Sequence, residues 1–171
     1  MKTLEVIRDD DFGFDVPAPA AYHERVSARA IVSDTDGKIA LFYSALKGFH
    51  KLPGGGVEEG ESIESALVRE VMEEIGCRIE DAREFGIVEE YRNKIGLHQV
   101  SHCFTAKLAG EKGMPSPDDG EIAEGFHPIW VGLSEAVILV AEEAATVRPT
   151  YKENFILARE LAFLEEAARI S

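Results

Sequence analysis

The 171-residue sequence predicts one α+β layered domain around a mixed or largely antiparallel sheet. Short strand patterns and longer helical patterns follow one another without a regular βαβ rhythm, and that mixture points to a layered α+β domain. The length suits a single domain, or a domain with an added arm, and is enough to bury a core without disulfides. No apolar run approaches the roughly 18 residues of a membrane span.

The elements can be justified in chain order. Residues 9–21 combine Asp9, Asp10 and Asp11 with Pro17 and Pro19 and read as irregular, so residues 1–21 are expected to form an N-terminal arm and residues 22–171 the domain. Val26–Ser33 is apolar and β-prone. Asp34-Thr35-Asp36-Gly37 is a turn signal, and Lys38–Tyr43 completes a hairpin. Pro53-Gly54-Gly55-Gly56 breaks the chain. Ser62 is a natural N-cap for a helix that ends at Gly76. Residues 84–91 and 97–108 read as two long strands about a turn at Asn93–Gly96, and 110–125, rich in Gly, Pro and Asp, as a loop. His127–Val131 is a short strand. Ser134 opens a helix to about Ala145, and a last helix, counted within the domain, runs from Tyr151 to Ala168.

Eighteen basic against 32 acidic residues leave a net charge of −14. That field repels polymeric nucleic acid and anionic membranes, so neither is an expected partner. A small anionic substrate would need cations to approach. Acidic residues near the N-terminus argue against a secretion signal, which makes the cytoplasm the expected compartment. Cys77 and Cys103 form no metal-binding spacing, and both are expected to be reduced thiols. His98 and His102 share one alternating stretch, too little for a zinc site.

The chemistry concentrates in residues 54–76. Glu70, Glu73 and Glu74, at i, i+3 and i+4, fall within one arc of roughly 100°. They repel one another by a few tenths of a kcal/mol per exposed pair, at the helix end where the dipole also disfavours them. Their arc borders the stripe of Leu67, Val71 and Ile75, and partial burial raises the cost further. Arg69 alone cannot neutralise three acids. Clustered carboxylate oxygens suit Mg²⁺ or Mn²⁺, which commonly also touch substrate phosphates.

Gly55, five residues, Glu61, seven residues, then Arg69-Glu70-Val71-Met72-Glu73-Glu74-Ile75-Gly76 resembles the box of the Nudix (MutT-like) hydrolases, with Cys77 at its last, usually aliphatic, position. A weaker likeness extends from about Val26 to Ala136. The resemblance implies a Nudix-type α/β/α sandwich around a mixed β-sheet. It also implies hydrolysis, with Mg²⁺ or Mn²⁺, of a pyrophosphate bond in a nucleoside diphosphate linked to another moiety. By the same resemblance Glu70, Glu73 and Glu74 bind metal, joined by the carbonyl of Gly54 or Gly55. Arg69 orients a box glutamate, and Glu61 and Gly76 support the site. Glu70 is the first choice of general base; Glu124 and then Glu121, in the 110–125 loop, are alternatives. Phe12, Tyr22, Phe49 and Tyr91 are candidate stackers, and Arg25, Lys47, Lys51 and Arg92 candidate phosphate partners. The expected partner is thus a small nucleotide diphosphate derivative, with a homodimer as a further expectation. Two rival readings are an inactive nucleotide-sensing module and a diphosphate isomerase using Cys77 or Cys103.

Overall fold

A computed structural model describes residues 2–148 and 150–171; Met1 of the expected arm lies outside them. The described chain forms a mixed eight-stranded sheet between helices on both faces, the α/β/α sandwich that the resemblance implied. The strands are β1 (Thr3–Arg8), β2 (His23–Ser33), β3 (Lys38–Ser44), β4 (Phe49–Lys51), β5 (Gly54–Gly56), β6 (Arg78–Arg92), β7 (Leu97–Ala109) and β8 (Phe126–Gly132). The helices are α1 (Ile63–Ile75), α2 (Asp119–Ala123), α3 (Leu133–Ala144) and α4 (Tyr151–Ile170). The order β1-β6-β7-β2-β3-β4 is extended by β5 on β2 and β8 on β3.

β2 and β7 pair in parallel over eleven positions, His23 with Leu97 to Ser33 with Lys107, while β6 and β7 form the long antiparallel hairpin. The expected β2–β3 hairpin closes through Ser33 and Ile39 alone, around a turn in which Asp34 Oδ1 accepts from the backbone N–H groups of Asp36 and Lys38. β3 then pairs with β8 and β4.

Two layers of core hold the helices. On one face Leu67, Val71 and Ile75 of α1 pack on Ala28, Ala30, Val32 and Phe104. Small residues on β2 let the acidic helix lie close to the sheet. On the other face Phe155, Phe163 and Leu164 of α4 and Val140 of α3 meet Ile31, Leu41 and Leu52.

Several elements differ from the expectation. β4 and β5 are not among the expected strands: β5 forms, because it pairs with β2, where Pro53-Gly54-Gly55-Gly56 reads as a break, and β6 begins at Arg78 rather than at 84. Residues 3–8, placed in the arm, form β1, in parallel with β6 from Ile87 to Tyr91. The 110–125 segment contains α2, held by Asp118, whose Oδ1 accepts from Glu121 N at 2.8 Å while Glu121 Oε2 accepts from Asp118 N at 3.2 Å. Finally α3 starts at Leu133, with Gly132 as N-cap, so Ser134 lies inside the helix.

Candidate active site

The box glutamates are placed by local rules. Ser62 Oγ accepts from Ser65 N at 3.1 Å and starts α1; Gly76, at φ 66°, stops it. The carbonyl of Gly76 also accepts from Gly113 N, and that of Glu73 from Ser116 N, so the 110–118 segment is strapped to the end of α1. This places α2 and its acids across the cavity from the helix.

That cavity, about 340 Å³, opens between α1, β5, the α2 segment and the start of α4. Glu70 and Glu74 of α1 face it beside Gly54, Gly55 and Gly56. Glu121 and Glu124 contribute the opposite acids. Glu73 does not line it; its side chain is half exposed and reaches Arg69 at 3.3 Å. The three box acids therefore occupy one arc but two environments.

Arg69 binds two of the three box acids, Glu70 and Glu73, and Glu61 ahead of the helix. Its Nε and Nη2 donate to Glu61 at 3.0 Å each, its Nη1 to Glu70 Oε1 at 2.8 Å and to Glu73 Oε2, and its Nη2 to the Gly56 carbonyl. The hydrogen bonds to Glu61 and Glu70 hold the guanidinium above its usual pKa, and those from Arg69 hold the Glu61 carboxyl below its own. Arg69 thus stands between Glu61 on one side and Glu70 and Glu73 on the other.

Glu74 is buried, and burial pushes its pKa up to about 7, against the pull of Lys51 and Arg29. Lys51 Nζ donates to its Oε1 and Gly54 N to its Oε2, each at 2.7 Å. Lys51 also reaches Glu121 Oε1 at 3.3 Å, and Lys47 lies 2.8 Å from Glu124 Oε1. The Gly54 carbonyl accepts from Arg29 Nη1.

Among the described residues no group of three His, Cys, Asp or Glu side chains is already arranged to hold a metal ion. The donor set nevertheless fits a hard divalent cation. Glu70 and Glu74 offer carboxylate oxygens in a cavity whose backbone glycines leave room, for a Cβ on Gly55 would overlap the Glu70 carboxylate. Ammonium and guanidinium groups already lie on all three box acids, so the site calls for positive charge.

Of the candidate phosphate partners, Arg25, Lys47, Lys51 and Arg92 all line the cavity. Of the candidate stackers only Phe49 does. Phe12 packs on Phe155, Tyr22 donates to Asn93, and Tyr91 stacks on His98. Cys77 and Cys103 are both buried away from the cavity lining, with thiols pushed up by burial. His98 and His102 are paired with Glu24, Glu89 and Glu84.

Sequence reasoning missed Arg29, Gln99, Lys152, Glu153 and Arg159, which also line the cavity. Arg29 did leave a signal, a lone charge within the apolar run Val26 to Val32. Residues 23–153 match the family model of the NUDIX domain.

The chain belongs to the NUDIX family. This NUDIX chain is 33% identical over 107 residues to an ADP-ribose pyrophosphatase of Methanocaldococcus jannaschii, a match covering 61% of the chain and 62% of that relative. The chain thus spans less than two thirds of the relative's length. Its structure superposes on a MutT NUDIX hydrolase of Burkholderia pseudomallei with TM-score 0.54 at 25% identity, covering 80% of this chain and 98% of that one. It also superposes on a NUDIX hydrolase of Nitrosomonas europaea, with TM-score 0.57 at 21% identity, covering 81% and 92%. The second likeness supports the fold alone. Among the described residues no helix is long and apolar enough to cross a membrane.

Proposed function

We propose that this NUDIX protein hydrolyses the pyrophosphate bond of a nucleoside diphosphate linked to another moiety, with Mg²⁺ or Mn²⁺. The observation that carries the reading is the pairing of Glu70 and buried Glu74 on one side of a cavity that also holds Glu121, Glu124 and several cations. Family membership and the similarity to an ADP-ribose pyrophosphatase support it. A nucleoside diphosphate carrying a sugar is therefore the first substrate class to test.

Glu70 and Glu74, with the carbonyl of Gly54 or Gly55, would hold the divalent ion, and Glu73 would have to leave Arg69 and turn toward the cavity to join them. Bound there, it would neutralise phosphate charge, orient the anhydride and acidify water. Lys51 would have to leave Glu74 Oε1 for an ion to bind that oxygen, exchanging one positive charge for another. Glu70 has one oxygen held by Arg69 Nη1, while Oε2 has no hydrogen-bond partner among the described residues. Oε2 is thus the oxygen left to take a proton from attacking water. Arg69, held by Glu61 and the Gly56 carbonyl, fixes the carboxylate for that task. Lys47 and Lys51 hold Glu124 and Glu121 at the opposite wall, where they are the alternative bases.

The test combines a screen of nucleoside diphosphate sugars, dinucleotides and nucleoside triphosphates at fixed Mg²⁺ with one substitution. Glu70→Gln should lower kcat by about 10²–10⁴-fold, the usual range for a general base, with an unchanged circular dichroism spectrum. A near-normal rate in that variant would remove Glu70 from the role. Binding without turnover of any compound would favour the sensing module instead.

A further inference from the structure

The free edge of β4 is closed by carboxylates. β4 ends the sheet order and pairs with β3 on one side; on the other no strand lies among the described residues. A bare edge of this kind leaves backbone N–H groups that need partners. Along the extended run from His50 to Gly54 every second N–H has one. His50 N donates to Glu143 Oε2 at 2.9 Å, Leu52 N to Glu160 Oε2 at 3.2 Å and Gly54 N to Glu74 Oε2 at 2.7 Å. The three acids come from three helices, α3, α4 and α1.

Two of these acids also serve elsewhere: Glu74 faces the cavity, and Glu160 is tied to Arg159. Glu143 differs. Its Oε1 accepts from His50 Nδ1 at 2.7 Å, so one carboxylate grips the backbone and the ring of the same residue. Among the described residues it has no other hydrogen-bond or ion-pair partner. The His50 ring also lies against Tyr43, its cross-strand neighbour on β3, with centroids 4.5 Å apart. Side chains alternate along a strand. His50 is turned to α3, while Phe49 and Lys51 on either side of it line the cavity. Lys51 Nζ reaches Glu74 and Glu121 and stands 5.1 and 4.8 Å from the ring centroids of Phe42 and Phe126. A long, flexible side chain keeps such a place only if its backbone is fixed.

We propose that Glu143 is a positioning residue of the active site: through His50 it fixes β4, and so sets Lys51 against Glu74 and Glu121 across the cavity. Glu143 itself does not line the cavity. The turn before β4 is held separately, by Arg148 Nη2 donating to the carbonyls of Lys47 and Gly48, so loss of Glu143 should loosen β4 without releasing the hairpin. The effect on turnover rests on the hydrolase reading; the placing of Lys51 does not.

The experiment therefore has two arms. In the first, without metal or nucleotide, the Lys51 ammonium is observed by NMR in protein carrying ¹⁵N-lysine and is identified by its loss in Lys51→Arg. Held by two carboxylates and only 14% exposed, it should give a slowly exchanging signal. Glu143→Ala should shift or abolish that signal. Glu143→Gln should keep it, because the amide oxygen still accepts from His50 N and the imidazole can take the other tautomer. No slow signal in the unaltered protein, or an unchanged one in Glu143→Ala, overturns the proposal whatever the protein hydrolyses. Equal loss in Glu143→Gln overturns it too, since the effect would then follow charge and not the grip on β4. In the second arm, with Mg²⁺ and a substrate that is turned over, Glu143→Ala should lower kcat/KM at least tenfold while folded, and Glu143→Gln should retain most of it. A lower melting temperature with unchanged kcat/KM would mark a merely structural residue and overturn the proposal. If Glu143→Ala does not fold, Glu143→Asp, one methylene too short to grip both groups of His50, replaces it with the same expected losses. Failure of every substrate to turn over would end the hydrolase reading and leave the NMR arm to decide the role of Glu143.

Discussion

At the scale of single residues the site is a matter of where carboxylates are allowed to rest. Gly55 shows this most directly. A methyl group there would overlap the Glu70 carboxylate, the mobile end of a flexible side chain, so the fold can absorb it while the acid cannot keep its place. Gly55→Ala should therefore lower kcat by at least tenfold while the melting temperature shifts by less than about 3 °C, a cost of about 1 kcal/mol at most for a domain of this size. An active Gly55→Ala enzyme would show that the resting position of Glu70 is not the working one. The neighbouring Gly54 differs: at φ 134° and against the backbone of Ala28 and Arg29, its substitution strains the fold itself. The sequence marked both glycines, through the Pro-Gly-Gly-Gly run and the box spacing, yet nothing in the spacing distinguished their roles. It likewise grouped Glu70, Glu73 and Glu74 as equals. Their separation into buried, cavity-facing and half-exposed groups depends on how deeply α1 sinks onto the small residues of β2, which helical periodicity does not report.

At the scale of elements, what could be read was what is local. α1 was legible at both ends because its cap and its stop are single residues acting within one turn. β1 was not, because its partner β6 lies about eighty residues away and no nearby residue announces the pairing. α2 had a local sign, the Asp118–Glu121 capping box, concealed in a stretch that reads as loop by composition. The same stretch matters through Gly76. That residue ends α1 at positive φ, and a Cβ on it would overlap the backbone of Met114, so cap and strap meet at one point. Gly76→Ala should destabilise the protein by about 1 kcal/mol from the left-handed conformation alone, and by more because Met114 must move. It should also speed proteolytic cleavage within 110–118 and reduce activity through Glu121 and Glu124. Loss of stability without faster cleavage there would show that the strap is held independently of the helix stop.

At the scale of the whole molecule, a buried ionic chain joins the sheet to α4. Arg159, fully buried, donates to Glu90 at 2.8 Å and to Glu160 at 2.6 Å; Glu90 also takes Arg92, and Glu160 Oε2 accepts from Leu52 N at 3.2 Å. This chain was invisible in the sequence because Arg159 and Glu160 stand where the helical stripe from Phe155 to Phe163 calls for apolar residues, and only the fold brings Glu90 opposite. Burying such charges is tolerable only when each is matched, so removing one partner strands the others. Arg159→Met should cost about 3–5 kcal/mol in urea unfolding, since it leaves Glu160 without its cation and Glu90 with Arg92 alone. Adding Glu160→Gln should recover part of that loss, because the amide still accepts from Leu52 N without requiring a charge. If the double variant is no more stable than Arg159→Met, the penalty arises from lost packing of the arginine stem and not from an unmatched carboxylate.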